Sequence, residues 1–304
     1  MTSVEFLHQL FDRLWTVYRD RVTYARDYER VIDAAGAHFI NDHIAFRSIA
    51  WQQPTAGIAS ISRLFQALGY RPAACYHFPD KHLQAIHLEP PTGDNADRRT
   101  LPKLFVSELQ SWCLSAGERQ HLAGCLDNHR PPLSLDCLEQ LARPDETLDN
   151  NTLDNLADWF LQRPWPAPER SDVEAIASVS QYAAWVLVHG YAVNHFTGLV
   201  NSHQVESLDS IDKTAASLSA AGVPMKAEIE GAVGSRLRQT ATEAVVVDVE
   251  VTTEGQLSSM PWTYAYFELA ERGAVIDPST GDISQFEGFL GPQATQLFDM
   301  TRRS

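Results

Sequence analysis

NDHIAFRSI, residues 41–49, sets the architecture of the chain. It reads as a short strand, so residues 43, 45 and 47 point to one face, with about 13 Å between the outer Cα atoms at ~3.3 Å per residue. His43 and Arg47 therefore stand at two ends of one strand face. The same plan returns half a chain later in VNHFTGLV (193–200), where His195 lies 152 residues beyond His43 in a chain of 304.

The segment after each of these strands repeats as well. ISRLFQALGY (61–70) and SIDKTAASLSAAGV (210–223) have helical spacing and stop at Gly69 and Gly222, residue types suited to a left-handed helix cap. The chain then turns strand-like: ACYHF, LQAIHLEP and KLFVSEL in the first half, AVVVDVEVT and TYAYFELAE in the second. Alternation of β-branched and aromatic residues with polar ones carries these assignments. The expected fold is α+β, with two pseudo-symmetric βαβββ modules.

A helical insert separates the modules. LQSWCLSAGERQHLAGCL (109–126) and LDCLEQLARP (135–144) have helical spacing, and the proline-rich RPWPAPERS (163–171) precedes a last helix, DVEAIASVSQYAAWVL (172–187). The division expected is 1–109 for an N-terminal helix and the first module, 110–180 for the insert, and 181–304 for the second module and closing segment. Thr2 and Glu5 have capping-box spacing ahead of a stripe of Phe6, Leu7, Leu10, Phe11, Leu14 and Trp15.

Bulk properties exclude several classes. A net charge of −15 argues against nucleic acid, whose binding rests on Lys and Arg neutralising phosphates. The N-terminus has neither a basic n-region nor a continuous apolar core, so neither a secretory signal nor a membrane span is expected. Cys75, Cys113, Cys125 and Cys137 form no CxxC pair, which fits reduced thiols in a cytoplasmic protein. GxSxG, P-loop, GxGxxG and HExxH patterns are absent, and EGAVGSRLRQT (230–240) spaces its glycines wrongly for a phosphate cradle.

Three candidates for chemistry remain. A metal on His43 and the Arg47 fork could bracket an elongated molecule ending in a carboxylate, because a guanidinium pairs bidentately with that group; an ordinary strand histidine and a surface arginine are the alternative. His195 can meet His43 if the two symmetric first strands adjoin. Glu268 shares a strand face with Tyr264 and Tyr266, where a buried carboxylate needs a partner or a cation; a strand-end glutamate near solvent with Arg272 is the alternative. Two histidines and one carboxylate compose the facial triad of non-haem Fe(II) sites. Rival ligands are His77, His82, His87, Glu89, His189 and His203, of which His77 and His82 belong to an exposed turn. His87 and Glu89, assigned to the first module's last strand, leave a symmetric second site open.

NDHIAFRSI, LPKLFVSEL, VNHFTGLV, PMKAEIEG and TYAYFELAERG, in that order and continuing to FEGFLGPQATQLFD, resemble the domain of unknown function 1338, now associated with 2-oxoadipate dioxygenase/decarboxylase, in its compact plant and fungal-type branch. That resemblance implies a curved sheet of the vicinal-oxygen-chelate type and an Fe(II) cofactor on His43, His195 and Glu268, with Arg47 binding substrate. It implies a small-molecule 2-oxo acid and O2 as partners: 2-oxoadipate, in lysine catabolism, losing CO2 to give 2-hydroxyglutarate. Other readings of the same scaffold are an O2-independent isomerase or lyase of glyoxalase type using Zn or Ni, and a metal-free module that binds an acidic metabolite.

Overall fold

The computed structural model describes residues 1–91, 101–143 and 148–289; FEGFLGPQATQLFD lies outside the described residues from position 290 onward. The chain opens with α1 (Ser3–Arg21) and α2 (Thr23–Ala34). The capping box forms as expected: Thr2 Oγ1 accepts from the Glu5 N–H at 3.2 Å, and Glu5 accepts from the Thr2 N–H at 2.7 Å. Behind it the apolar stripe from Phe6 to Leu14 is buried.

The first module runs β1 (Asn41–Ile49), α3 (Ile58–Ala67), β2 (Arg71–Phe78), β3 (Leu83–Glu89) and β4 (Lys103–Leu109). Helices α4 (Ala116–Leu126), α5 (Leu135–Ala142), α6 (Asn150–Leu161), α7 (Arg170–Val179) and α8 (Gln181–His189) follow, the last of them lying beyond the 180/181 boundary expected for the insert. The second module comes next, with β5 (Val193–Leu199), α9 (Ile211–Ala220), β6 (Leu237–Ala241), β7 (Val246–Thr253), β8 (Gln256–Thr263) and β9 (Glu268–Arg272). A small hairpin of β10 (Ala274–Ile276) and β11 (Ile283–Gln285) follows β9.

Among the described residues, seven strands make one sheet in the order β2-β3-β4-β1-β5-β9-β6. Its centre is the antiparallel β1–β5 pair, flanked by parallel partners, β4 on β1 and β9 on β5. The two modules therefore meet through their first strands, as the repeat requires. In the second module the fourth, outer strand is reduced to single bridges, Met225 with Thr242 and Glu230 with Gln239.

Four local readings change. AVVVDVEVT lies in the separate β7–β8 hairpin, because its alternation suits any half-exposed strand and does not say which sheet receives it. The module's own strand is β6, drawn from RLRQTA. His87 sits on β3 in mid-module, since the last strand is β4. The helix expected over 172–187 breaks at Ser180, whose hydroxyl caps α8 by accepting from the Ala183 N–H at 3.1 Å.

One face of the sheet carries the main core. Phe46 packs on Phe65 and Phe160, while Tyr18 meets Phe196 edge-on at 4.9 Å, so α1, α3 and α6 cover this side. His43, Ala45 and Arg47 point to the other face, where α8 lies. Gly69 and Gly222 have φ of +94° and +88°, the backbone sign that favours glycine after a helix.

Candidate metal centre

Offsetting the repeat by 152 places Ile44 on Phe196, and these two residues are partners in the β1–β5 ladder. A local two-fold axis passes between them. His43 and His195 each precede an axial residue and project to the opposite face, so their rings meet edge to face with centroids 5.4 Å apart.

The two Nε2 atoms lie 3.3 Å apart. Glu268, first residue of β9, completes the group: Oε1 is 3.4 Å from His43 Nε2 and Oε2 is 3.5 Å from His195 Nε2. One ligand atom from each of the three residues lies within 4.8 Å of the others, and all three side chains are buried.

Each histidine is oriented by its preceding residue. The Nδ1 of His43 is 2.8 Å from Asp42 Oδ2, and that of His195 is 3.1 Å from Asn194 Oδ1. With Nδ1–H donating to an oxygen, each Nε2 keeps its lone pair toward the centre. Glu268 Oε1 accepts from Gln239 at 2.7 Å and from Thr197 at 3.5 Å, whereas Oε2 has no hydrogen-bond partner among the described residues.

Burial sets the protonation of the group. It pushes the Glu268 carboxyl well above its ordinary range, against the bonds from Gln239 and Thr197. It also depresses both histidines, and the neighbouring His43 and Arg47 add to the effect on His195. Neutral imidazole is the metal-binding form. A buried carboxylate with an orphan oxygen is stabilised by a cation at the position both rings face. The donor set, two imidazole nitrogens and one carboxylate, fits a divalent transition metal with open coordination positions.

Arg47 is 2% exposed on the same sheet face. Its guanidinium lies 5.2 Å from the Tyr182 ring and 5.3 Å from the Trp185 ring, both on α8, and it also reaches the Tyr266 hydroxyl. Tyr266 in turn stacks on His195 with centroids 4.9 Å apart. Tyr264 and Tyr266 precede β9; Tyr266 stays beside the metal candidates, whereas Tyr264 turns to Trp185 and His189. The arginine and the metal candidates are thus brought into one chamber through Tyr266.

The rival ligands have other partners. His203 bonds the Tyr28 hydroxyl at 2.7 Å, and His189 pairs with the Thr263 carbonyl at 2.9 Å. His77 and His82 are exposed. His87 bonds the Tyr76 hydroxyl through Nδ1 at 2.9 Å, and its Nε2 lies 3.9 Å from Glu89. Among the described residues only His43, His195 and Glu268 come together as a metal-binding group. The alternative of a solvent-near Glu268 beside Arg272 fails, since Glu268 is buried and Arg272 pairs with Asp42. Gln239, Thr197, Asp42 and Asn194 join the site although the sequence alone assigns them no role.

A family model described as 2-oxoadipate dioxygenase/decarboxylase matches residues 3–285. The chain is 28% identical over 315 residues to the 2-oxoadipate dioxygenase/decarboxylase, chloroplastic/amyloplastic, of Oryza sativa, covering 97% of this chain and 79% of that protein. It is 26% identical over 319 residues to the chloroplastic protein of the same name from Arabidopsis thaliana, covering 99% and 79%. Among solved structures, the hydroxyglutarate synthase from Oryza sativa in complex with 2-oxoadipate superposes with a TM-score of 0.78 at 26% identity, covering 99% of this chain and 93% of that one. A glyoxalase superfamily protein from Ralstonia eutropha shares the fold, with a TM-score of 0.77 at 23% identity over 96% and 88%.

Proposed function

This chain belongs to the 2-oxoadipate dioxygenase/decarboxylase family, and we propose that it converts 2-oxoadipate and O2 to 2-hydroxyglutarate and CO2, with Fe(II) held by His43, His195 and Glu268. The observation that carries the reading is the buried group of two histidines and a glutamate whose Oε2 has no hydrogen-bond partner among the described residues. Iron, when bound, supplies the redox chemistry that activates O2, which amino-acid side chains do not provide.

The remaining work falls to the protein. Asp42 and Asn194 fix the two imidazoles with Nε2 inward. Gln239 and Thr197 fix the Glu268 carboxylate. Arg47, already desolvated between Tyr182 and Trp185, takes the distal carboxylate of the substrate, so the molecule lies along β1 with its 2-oxo end at the histidines. Burial of the chamber keeps bulk water from the reacting carbons.

We place the reaction in the cytoplasm, supported by four cysteines that are all unpaired; among the described residues no helix is long and apolar enough to cross a membrane. The division at 109/110 and 180/181 is likewise a proposal, supported by strands on either side of a run of helices.

The test is an oxygen-electrode screen after anaerobic Fe(II) loading. Expected is O2 uptake with 2-oxoadipate, matched by CO2 and 2-hydroxyglutarate, and lower rates with shorter 2-oxo diacids. Turnover of a 2-oxo acid without O2 uptake would overturn the proposal.

A further inference from the structure

The two histidines are held unequally. His195 has a neutral orienting partner, Asn194, whose Nδ2 has no hydrogen-bond partner among the described residues. His43 has Asp42, and Asp42 is itself clamped: the Nε and Nη2 of Arg272 both donate to its carboxylate, the latter at 2.6 Å. Asp42 and Arg272 are 5% and 3% exposed, so this pair is removed from solvent screening.

The other edge of the same guanidinium faces the end of the described chain. Nη1 donates to the carbonyls of Phe286 and Gly288, each at 2.9 Å. These bonds set down Phe289, whose ring meets His43 edge-on at 4.8 Å and lies 5.4 Å from the Arg272 guanidinium. Phe289 also packs on Phe105 at 5.0 Å and His87 at 5.2 Å, and its N–H donates to the Tyr76 hydroxyl at 3.3 Å. The backbone of Arg272 is pinned in turn by Asn201, which accepts from its N–H at 2.8 Å and donates to its carbonyl at 3.0 Å.

We propose that Arg272 is a positioning residue that couples the orientation of His43, through Asp42, to closure of segment 286–289 over that histidine. The inference rests on His43, His195 and Glu268 being metal ligands. A guanidinium is suited to this because its planar fork offers two edges at once, one to a carboxylate and one to carbonyls, which an ammonium cannot reproduce. The clamped carboxylate fixes the His43 ring, and Phe289 packs against the same ring. Release of the carbonyl edge of Arg272 then frees the cover alone, whereas release of the Asp42 edge loosens both the ligand and its cover.

The experiment uses the full chain and Co(II) as the probe. Co(II) affinity is measured by competition titration, and amide hydrogen exchange of segment 283–289 is followed in the same samples. Arg272→Gln should weaken Co(II) binding by roughly ten- to a hundredfold, the usual cost of removing an outer partner of a ligating histidine, and should speed exchange at 286–289. Asp42→Asn should also speed exchange there, because Asp42 is joined to that segment through Arg272. Arg272→Lys should recover most of the affinity by keeping a charge beside Asp42, yet leave exchange fast. Phe289→Ala should leave affinity within about threefold of wild type, since it removes the cover and not the clamp.

Wild-type Co(II) affinity in Arg272→Gln, or slow exchange at 286–289 in Asp42→Asn, overturns the coupling. Should Arg272→Gln not fold, Arg272→Lys alone decides: identical behaviour to wild type in both readouts is the contrary result. A wild-type chain that takes up no Co(II) overturns the ligand reading itself, which is a different outcome from wild-type binding with unaffected variants.

Discussion

Ile44 and Phe196 are cross-strand partners at the centre of the sheet and equivalent positions in the repeat. The axis between them brings His43 and His195 together, but the third member of the group breaks the symmetry. Glu268 pairs with Thr197 on the second module, and the equivalent register on the first pairs Phe105 with Ala45. One module supplies a carboxylate where the other supplies a phenyl ring.

The proposed ligand set predicts one metal ion per chain. Metal analysis after reconstitution should give one equivalent for the wild type and for His87→Ala, and a small fraction of that for His195→Ala and Glu268→Gln. A full equivalent in either of the last two variants would refute the ligand set.

Arg47 is assigned to the substrate's distal carboxylate, and a charge-assisted bidentate pair is worth about 1.5–3 kcal/mol. Arg47→Lys should therefore raise KM for 2-oxoadipate roughly ten- to a hundredfold while changing KM little for 2-oxohexanoate, which lacks that carboxylate. Equal effects on the two substrates would remove the assignment.

Gly198 on β5 permits a close approach by α2. A Cβ there would lie 2.5 Å from Tyr28 Oη and 2.8 Å from its Cζ. Tyr28 is fully buried and bonded to His203, so it has no room to withdraw. Gly198→Ala should cost about 1–3 kcal/mol in denaturant unfolding; wild-type stability would show that the sheet and α2 can separate at no cost.

His129 gives a pH dependence independent of any metal. It is boxed by Trp159, Trp165 and Tyr191, and neither ring nitrogen has a hydrogen-bond partner among the described residues. Burial lowers its pKa from 6.5 to about 4. The unfolded chain therefore binds more protons over that range. This contribution is full above pH 6.5 and is lost as pH falls toward 4, up to on the order of 3 kcal/mol. His129→Phe should flatten the stability curve between pH 6.5 and 4 relative to wild type, and an unchanged slope would show that His129 charges freely in the folded state.

Much of the site was legible because the repeat is strong. Two histidines at half-length separation and a shared strand-helix plan define where the modules join, and strand alternation puts Arg47 on the face of His43. Gln239 was hidden, since β6 comes from a segment whose glycines and arginines resemble a loop more than a strand. Alternation in AVVVDVEVT marked a strand correctly and its sheet wrongly, because partner choice is a tertiary property. Asp42 and Asn194 stood in plain view, each one residue before its histidine. Their role needed coordinates, since only geometry shows a side chain turning back to the neighbouring Nδ1.

If the chain is a decarboxylating dioxygenase, both atoms of O2 enter the product of the 2-oxo acid. Mass spectrometry of 2-hydroxyglutarate formed from 2-oxoadipate under 18O2 is the sharpest test. Loss of CO2 leaves a new carboxylate that takes one oxygen atom, and the hydroxyl takes the other, so the product should carry two labelled atoms. An unlabelled product would rule this chemistry out.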